Sequence, residues 1–322
     1  MSLEPGKPNE IRYDPNHAIA NIFRVLPDNL KRMPTPKRQS PRLQMWESDA
    51  TLDGVGITYT GLFLLDTFDL HVLLALVAIA IQKPAVVQSE TTSPEGKALR
   101  KTLVNKSANV FVDEGSSHQL MLDLLEDESH SALPVVAGVR FTRYQLTTLV
   151  TGGDSTEKYQ RVKESLFRLM HTTVAVTDND GSRYSSNMVS ALYEGAGGRM
   201  AVAVNPILTR SLRLGTNFRY IKLQLAAFAT LSPAGKLLYT YLGGRTWDGK
   251  PHEYTTATLV ELVYPPSPLD KAKPPTRQGL DRRIAGVQAA MKDLGKLENW
   301  TVTEKTSARG LQKWSVARKK PA

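Results

Sequence analysis

Residues 276–318 read TRQGLDRRIAGVQAAMKDLGKLENWTVTEKTSARGLQKWSVAR. Within this stretch Leu280, Ile284, Val287, Met291 and Leu294 step by four, three, four and three. That recurrence is one apolar stripe on a helix, and it predicts a helix over Thr276–Lys296 that docks on a core. WTVTEK (300–305) and QKWSVA (312–317) follow, on either side of a turn at 307–310. Their β-branched and aromatic residues predict a hairpin. Upstream, Glu253–Thr256 reads as extended, and Thr256–Val263 as a short helix that stops at Pro265-Pro266. The order is strand, short helix, long helix, strand, turn, strand.

Working outward, the same order recurs over 139–204. Val139–Thr142 predicts a strand, and Arg143–Val150 a short helix ending at Gly152-Gly153. Ser155–Thr172 predicts a longer helix, with Tyr159, Val162, Leu166 and Leu169 at helical spacing and Asp154 or Ser155 as N-cap. Thr173–Thr177, the turn Asp178-Asn179-Asp180-Gly181 and a returning strand Arg183–Leu192 predict a hairpin, and Met200–Val204 one more strand. Between the copies, Asn217–Leu223 reads as a strand, and Gln224–Leu231 and Pro233–Leu242 as helices, with Ser232 capping the second. The copies share little residue identity, so the repeat is one of structure. The expected fold class is α+β, with two tandem winged-helix domains. The expected division is a basic Pro-rich N-terminal arm at 1–45, an N-terminal domain at 46–205 with an acidic insertion at 84–138, and a C-terminal domain at 206–322. In the insertion a strand is expected at Asn109–Val112 and a short helix near Gln119–Leu125.

GITYTGLF (56–63) is a candidate strand and Asp66–Gln82 a helix. The stretch 62–81 is the most apolar of the chain, interrupted by Asp66, Asp69 and His71. Its uninterrupted run, Val72–Ile81, is about half the ~20 residues a membrane span needs. It therefore reads as a buried core helix, with no membrane partner expected. The polar start MSLEPGKPNE is unlike a secretory signal, and the chain has no cysteine. Disulfides, thiolate zinc sites and Cys nucleophiles are excluded, and a cytoplasmic setting is expected.

Lys and Arg total 41 against 31 Asp and Glu, a net charge of +10. From Lys271 to Ala322 there are 13 Lys/Arg and four acids, an excess of nine. A charge excess gathered in one region points to a phosphate-binding surface rather than to general solubility. The segment KRMPTPKRQSPR (31–42) adds five cations among three prolines, an extended tail or an arm lying on phosphates. On the helix Thr276–Lys296 the face opposite the stripe carries Gln278 and Arg282, flanked by Arg277, Asp281 and Arg283, and Thr276 at the helix start is a further candidate contact. Arg pairs bidentately with guanine and Gln with adenine, so an exposed helix start of this composition suits the major groove of duplex DNA. Lys305, Arg309, Lys313 and Lys319 in and after the hairpin are candidate phosphate contacts. Lys158, Arg161, Lys163 and Arg168 on the earlier long helix, mixed with Glu157 and Glu164, suit either phosphates or a subunit interface.

Other chemistries are weaker. Gly244 to Lys250 has the spacing GxxxxGK, but a helix precedes it, Pro251 follows it, and no Ser/Thr stands ready for Mg²⁺. The turn at 178–181 lacks the Glu of a Ca²⁺ loop. His17, His71, His118, His130, His171 and His252 have no metal-ligand spacing. No cofactor, metal or catalytic residue is expected, and the chain reads as a binding protein rather than an enzyme.

Seven collinear segments resemble the iteron-binding replication initiators of plasmids, in particular RepC-type initiators of IncQ-like plasmids. They are IRYDPNHAIANIFRVL (11–26), FDLHVLLALVAIA (68–80), EGKALR (95–100), RMAVAVNPIL (199–208), RYIKLQLAAFATLSPAGKLLYTYLGG (219–244), RRIAGVQAAMKDL (282–294) and WTVTE (300–304). The resemblance implies tandem winged helices that bind directly repeated origin sequences. It also implies opening of an adjacent AT-rich region and recruitment of a plasmid-encoded helicase and primase. It implies that the C-terminal winged helix reads bases through Thr276–Lys296, and that the N-terminal one contacts backbone or mediates a homodimer. A winged-helix transcriptional repressor or autoregulator without origin-opening activity is the alternative.

Overall fold

The computed structural model describes residues 10–13, 22–26, 43–52, 55–82, 137–177, 183–194, 198–205, 221–246, 250–265, 275–306 and 312–318. The expected strand and helix inside 84–136, the segment 31–42 and the turn 178–181 lie outside these residues.

Helix α1 (Thr67–Gln82) is the pillar of the molecule. From Leu70 to Ile79 every side chain is at most 5% exposed. A helix apolar all round must be enclosed all round. Helices α2 (Arg143–Thr151) and α3 (Thr156–Met170) pack on it, as do α4 (Leu225–Thr230) and α5 (Pro233–Arg245). It therefore joins both halves of the chain in one core.

The polar residues that interrupt this apolar stretch fix its start. Asp66 Oδ1 accepts from the amides of Phe68 and Asp69, and Asp69 Oδ2 accepts from the amide of Asp66. This reciprocal cap satisfies amides that the first helical turn leaves unpaired. Asp69, with no exposure, also accepts from Ser165 Oγ at 2.7 Å, and from Arg168 Nη2 at 2.7 Å and Nε at 3.1 Å. One carboxylate thus caps α1 and clamps α3 onto it across 99 residues of sequence.

Strands β6 (Ala137–Thr142), β9 (Val189–Glu194) and β10 (Arg199–Val204) form an antiparallel sheet in the order β6-β10-β9. Thr142 caps α2 and Ser155 caps α3. Gly152 ends α2 at φ 71°, a left-handed conformation that a side chain would strain. The second half repeats the plan. Strand β12 (His252–Thr255), helix α6 (Thr256–Val263), helix α7 (Arg277–Leu294) and strands β13 (Trp300–Thr306) and β14 (Gln312–Arg318) close a sheet in the order β12-β14-β13. In both sheets the last strand lies in the middle.

Three sequence expectations need correction. The sequence predicts one returning strand over Arg183–Leu192, but the structure has two. β8 (Arg183–Asn187) pairs with β7 (Thr172–Thr177), and β9 crosses to β10. The break is at Met188, which is fully buried. The equally buried Asn205 holds it, its Nδ2 donating to Ser186 O at 3.2 Å and Asn187 O at 3.2 Å. A buried polar clamp of this kind leaves no periodicity in sequence.

Second, the hairpin β7–β8 is not a lone wing. β4 (Val55–Phe63) pairs with β7, and β3 (Leu43–Leu52) with β4, in a four-stranded sheet. β3 is an edge strand with Trp46 as its buried anchor. Trp46 Nε1 donates to Phe63 O at 2.7 Å, and its ring lies where a Cβ on Gly61 would stand 2.6 Å away. Third, the arm 1–45 is partly structured. β1 (Glu10–Tyr13) pairs antiparallel with β11 (Ile221–Gln224), and β2 (Phe23–Arg24) runs parallel to β5 (Leu65–Asp66).

Two outcomes follow from this core. Asp69→Asn leaves Arg168 without its counter-charge in a closed site and should cost about 3–5 kcal/mol in urea unfolding; a loss below about 1 kcal/mol would refute the clamp. His71 stands edge-on to Phe228 with ring centroids 5.2 Å apart, and its Nε2 has no hydrogen-bond partner among the described residues. Burial, aided by Lys236, pushes its pKa down from 6.5 to about 3. The unfolded chain takes up that proton first. Stability is therefore complete above pH 6.5 and falls as pH drops toward 3, by up to about 1.4 kcal/mol per pH unit. His71→Phe should flatten that part of the profile, and an unaltered slope would assign it to other groups.

Candidate nucleic-acid interface

Helix α7 has two unlike ends. Its C-terminal half is anchored by Val287, Ala290, Met291 and Leu294, all unexposed, against α5 and α6. Its N-terminal half stands away from that core. Leu280, assigned by its spacing to the docking stripe, is 43% exposed, so docking begins with the partly buried Ile284. Thr276 caps the helix, its Oγ1 accepting from Gly279 N at 3.2 Å. The first turn carries no acid. Arg277, Gln278, Asp281 and Arg282 are exposed, and Arg277 and Arg282 have no ion-pair partner among the described residues. The exposed Ala285 and Ala289 continue this face as small side chains. Arg283 is different, because its guanidinium lies 5.3 Å over the Tyr264 ring. It braces the helix start against the end of α6.

The sheet beside α7 carries Lys305 and Lys313, directly opposite each other on β13 and β14. Both reach the exposed carboxylate of Glu253, at 3.0 and 3.4 Å. Arg309 and Lys319 lie outside the described residues. A polar network that sequence reasoning missed ties α7 to the sheet. Gln288 Nε2 donates to Gln312 Oε1 at 2.6 Å, and Thr256 Oγ1 donates to the same oxygen at 3.1 Å. Trp314 Nε1 donates to Thr256 Oγ1 at 3.1 Å, and Gln312 Nε2 donates to Glu304. The network joins α6, α7, β13 and β14. Its members are single polar residues on separate elements, so no motif announces them.

The cations of α3 are used differently. Arg168 is turned inward onto Asp69 with 11% side-chain exposure, so it is a core residue and not a surface contact. The Arg161 guanidinium lies 4.0 Å over the Phe68 ring. Lys158 is exposed and Lys163 half-buried. The four do not form one cationic row. The stretch Gly244 to Lys250 begins in the last turn of α5 and leads into β12, the reverse of the strand–loop–helix order of a phosphate loop. Among the described residues no three His, Asp or Glu come together as a metal site, and no helix is long and apolar enough to cross a membrane.

With this geometry in place, comparison with known proteins gives one clear family. The sequence matches replication protein C (RepC) over residues 7–320. The chain belongs to the RepC family. This is a family of replication initiators, and membership places the chain in replication initiation and implies binding to DNA. No curated protein matches the sequence. Among solved structures, the chain is similar to a selenomethionine derivative of domains 2 and 3 of RctB, at 11% identity and a TM-score of 0.49, over 90% of this chain and 96% of that one. A second crystal structure of RctB domains 2–3 is similar at 12% identity and a TM-score of 0.43, over 88% and 93% of the two chains.

Gln312→Ala removes the shared acceptor of Gln288 and Thr256. It should cost about 1–3 kcal/mol in urea unfolding, the range for part-buried polar groups left unpaired. Val302→Ala at the half-buried position on β13 serves as a truncation control, and an equal loss in both variants would deny the network a special role.

Proposed function

We propose that this RepC-family chain is a plasmid replication initiator that binds directly repeated origin sequences, opens an adjacent AT-rich region and recruits a plasmid-encoded helicase and primase. In this reading the chain carries two winged-helix units, 46–205 and 206–322, and the C-terminal unit reads bases in the major groove. The observation that supports it is the exposed start of α7. Arg277, Gln278 and Arg282 project there from a helix whose other end is fixed in the core. Arg277, in a first turn without acids, opposes the helix dipole. Phosphate relieves that cost, because a helix N-terminus favours anions. Small residues at 285 and 289 let such a helix lie deep in a groove.

In this reading Lys305 and Lys313, paired across β13 and β14, contact the DNA backbone together with Arg309 and Lys319. Thr276, Asp281 and Arg283 flank the reading face. The N-terminal unit, through Lys158 and Lys163, contacts backbone or a second copy in a homodimer. An autoregulatory repressor would use the same reading helix and differs in leaving DNA closed.

The test is binding to a duplex carrying the direct repeats beside the gene and to a scrambled duplex, over a salt series. A preference of about a thousandfold or more establishes specific reading. Arg282→Ala should then cost about 1–3 kcal/mol on the repeats and relax specificity. Equal loss on both duplexes would mean that α7 reads no bases. Permanganate footprinting separates the two readings: reactive thymines beside the repeats mark an initiator, and none mark a repressor.

A further inference from the structure

From the geometry of the outer sheet face we infer that Glu253 is a specificity-determining residue, a carboxylate that masks the Lys305–Lys313 pair and holds down sequence-independent DNA binding. The inference rests on the reading of this unit as the DNA-binding one. Lys305 and Lys313 face each other across the β13–β14 ladder, where like charges repel. Glu253 stands two residues along on the other side, opposite Ser315 on β14. It crosses the central strand diagonally to reach both, Oε1 at 3.0 Å from Lys305 Nζ and Oε2 at 3.4 Å from Lys313 Nζ. The lysines hold its carboxyl below the usual carboxylate range, first through the Lys305 hydrogen bond. It stays ionised at neutral pH.

The arrangement is poorly placed to serve stability. Glu253 and Lys305 have 45% and 51% of their side chains exposed, and exposed ion pairs contribute little to folding. Its consequence for a polyanion is larger. Two adjacent cations on an open sheet face would each take a phosphate of any sequence. With Glu253 between them the trio carries one net positive charge. A phosphate arriving there must displace a carboxylate that occupies both ammonium groups. Sequence-independent affinity follows the number of phosphates neutralised, and the ratio of specific to non-specific binding is what lets a reader find its site. The mask lowers the second term and leaves the base-reading face of α7 untouched.

The experiment compares the full-length wild type, E253Q, K305Q/K313Q and the triple variant on repeat and scrambled duplexes over a salt series. Circular dichroism confirms that each is folded. E253Q should bind scrambled DNA at least about threefold more tightly near physiological salt, and its log–log salt slope should steepen by about one. The repeat-to-scrambled ratio should fall. In the K305Q/K313Q background the same change should do nothing, because the pair it masks is gone; this coupling is the quantity a double-mutant cycle isolates. A merely structural role for Glu253 would not move the salt slope. If E253Q leaves scrambled binding and slope unaltered while the wild type binds DNA, the mask is overturned and the reading of α7 stands. Weaker binding of E253Q to both duplexes also overturns it, because Glu253 would then be presenting the lysines to phosphate. A wild type that prefers no duplex overturns base reading, and the scrambled arm still decides the mask. A wild type that binds neither duplex overturns both.

Discussion

The buried carboxylate of Asp69 is the constraint on which the rest of the fold depends. A helix as apolar as α1 has no preferred face and no strong reason of its own to begin at one residue. Asp69 supplies both. Its Oδ2 closes the cap with Asp66, and its Oδ1 takes Ser165 and Arg168 of α3. Burial alone would disfavour the charge on Arg168, but Asp69 outweighs it and holds the guanidinium above its usual pKa. A pair like this adds little net stability compared with an apolar replacement, but it punishes any misplacement of either partner. It therefore works as a register lock between α1 and α3. The far side of α1 then presents His71 to Phe228, and α4 and α5 dock against it.

From that lock the molecule builds toward α7 through contacts of decreasing burial. Tyr239 on α5 is buried, accepts from the Gln224 amide at 3.0 Å and lies 5.5 Å from the Trp300 ring at the start of β13. The Gln288–Gln312–Thr256 network follows, part-buried, and fixes α7 against the sheet. Beyond it, among the described residues, the first two turns of α7 are held by the Thr276 cap and by Tyr264 under Arg283. Burial thus falls off along the helix axis, from a fully enclosed C-terminal end to an exposed N-terminal one. The proposed groove-reading role fits this gradient, with α7 anchored at one end and open where it would make contact.

Most helices were legible in sequence because their apolar faces repeat at 3.6 residues and their starts carry Ser or Thr. Thr142, Ser155, Ser232, Thr255 and Thr276 all cap as side-chain acceptors. What sequence could not show was pairing between distant segments. β1 finds its partner at β11, and β3 finds β4 beside the hairpin β7–β8, through backbone hydrogen bonds that any residue can make. The split between β8 and β9 rests on the single Asn205. The exposed cations of α7 were legible as a cluster. The role proposed for Glu253 was not, because an acid on β12 within reach of Lys313 on β14 and Lys305 on β13 is visible only when register is known.

The same limit explains why the two long helices looked alike in sequence and differ in the structure. Both α3 and α7 are basic helices that come after a short helix in the chain. On α3, however, Arg168 neutralises a core carboxylate and Arg161 covers the Phe68 ring, so two of its cations serve packing. Arg143, at the start of α2, likewise lies 4.7 Å over the Tyr159 ring of α3. On α7 only Arg283 is used in that way, and Arg277 and Arg282 have no such partner among the described residues. A cation already engaged by a ring or a carboxylate must break that contact before it can take a phosphate, whereas one facing solvent need only shed water and counterions. Electrostatic free energy for a polyanion is therefore concentrated on α7, although the two helices carry similar charge. Under the proposed function, this asymmetry suits a division of labour in which the N-terminal unit holds the frame and the C-terminal unit reads.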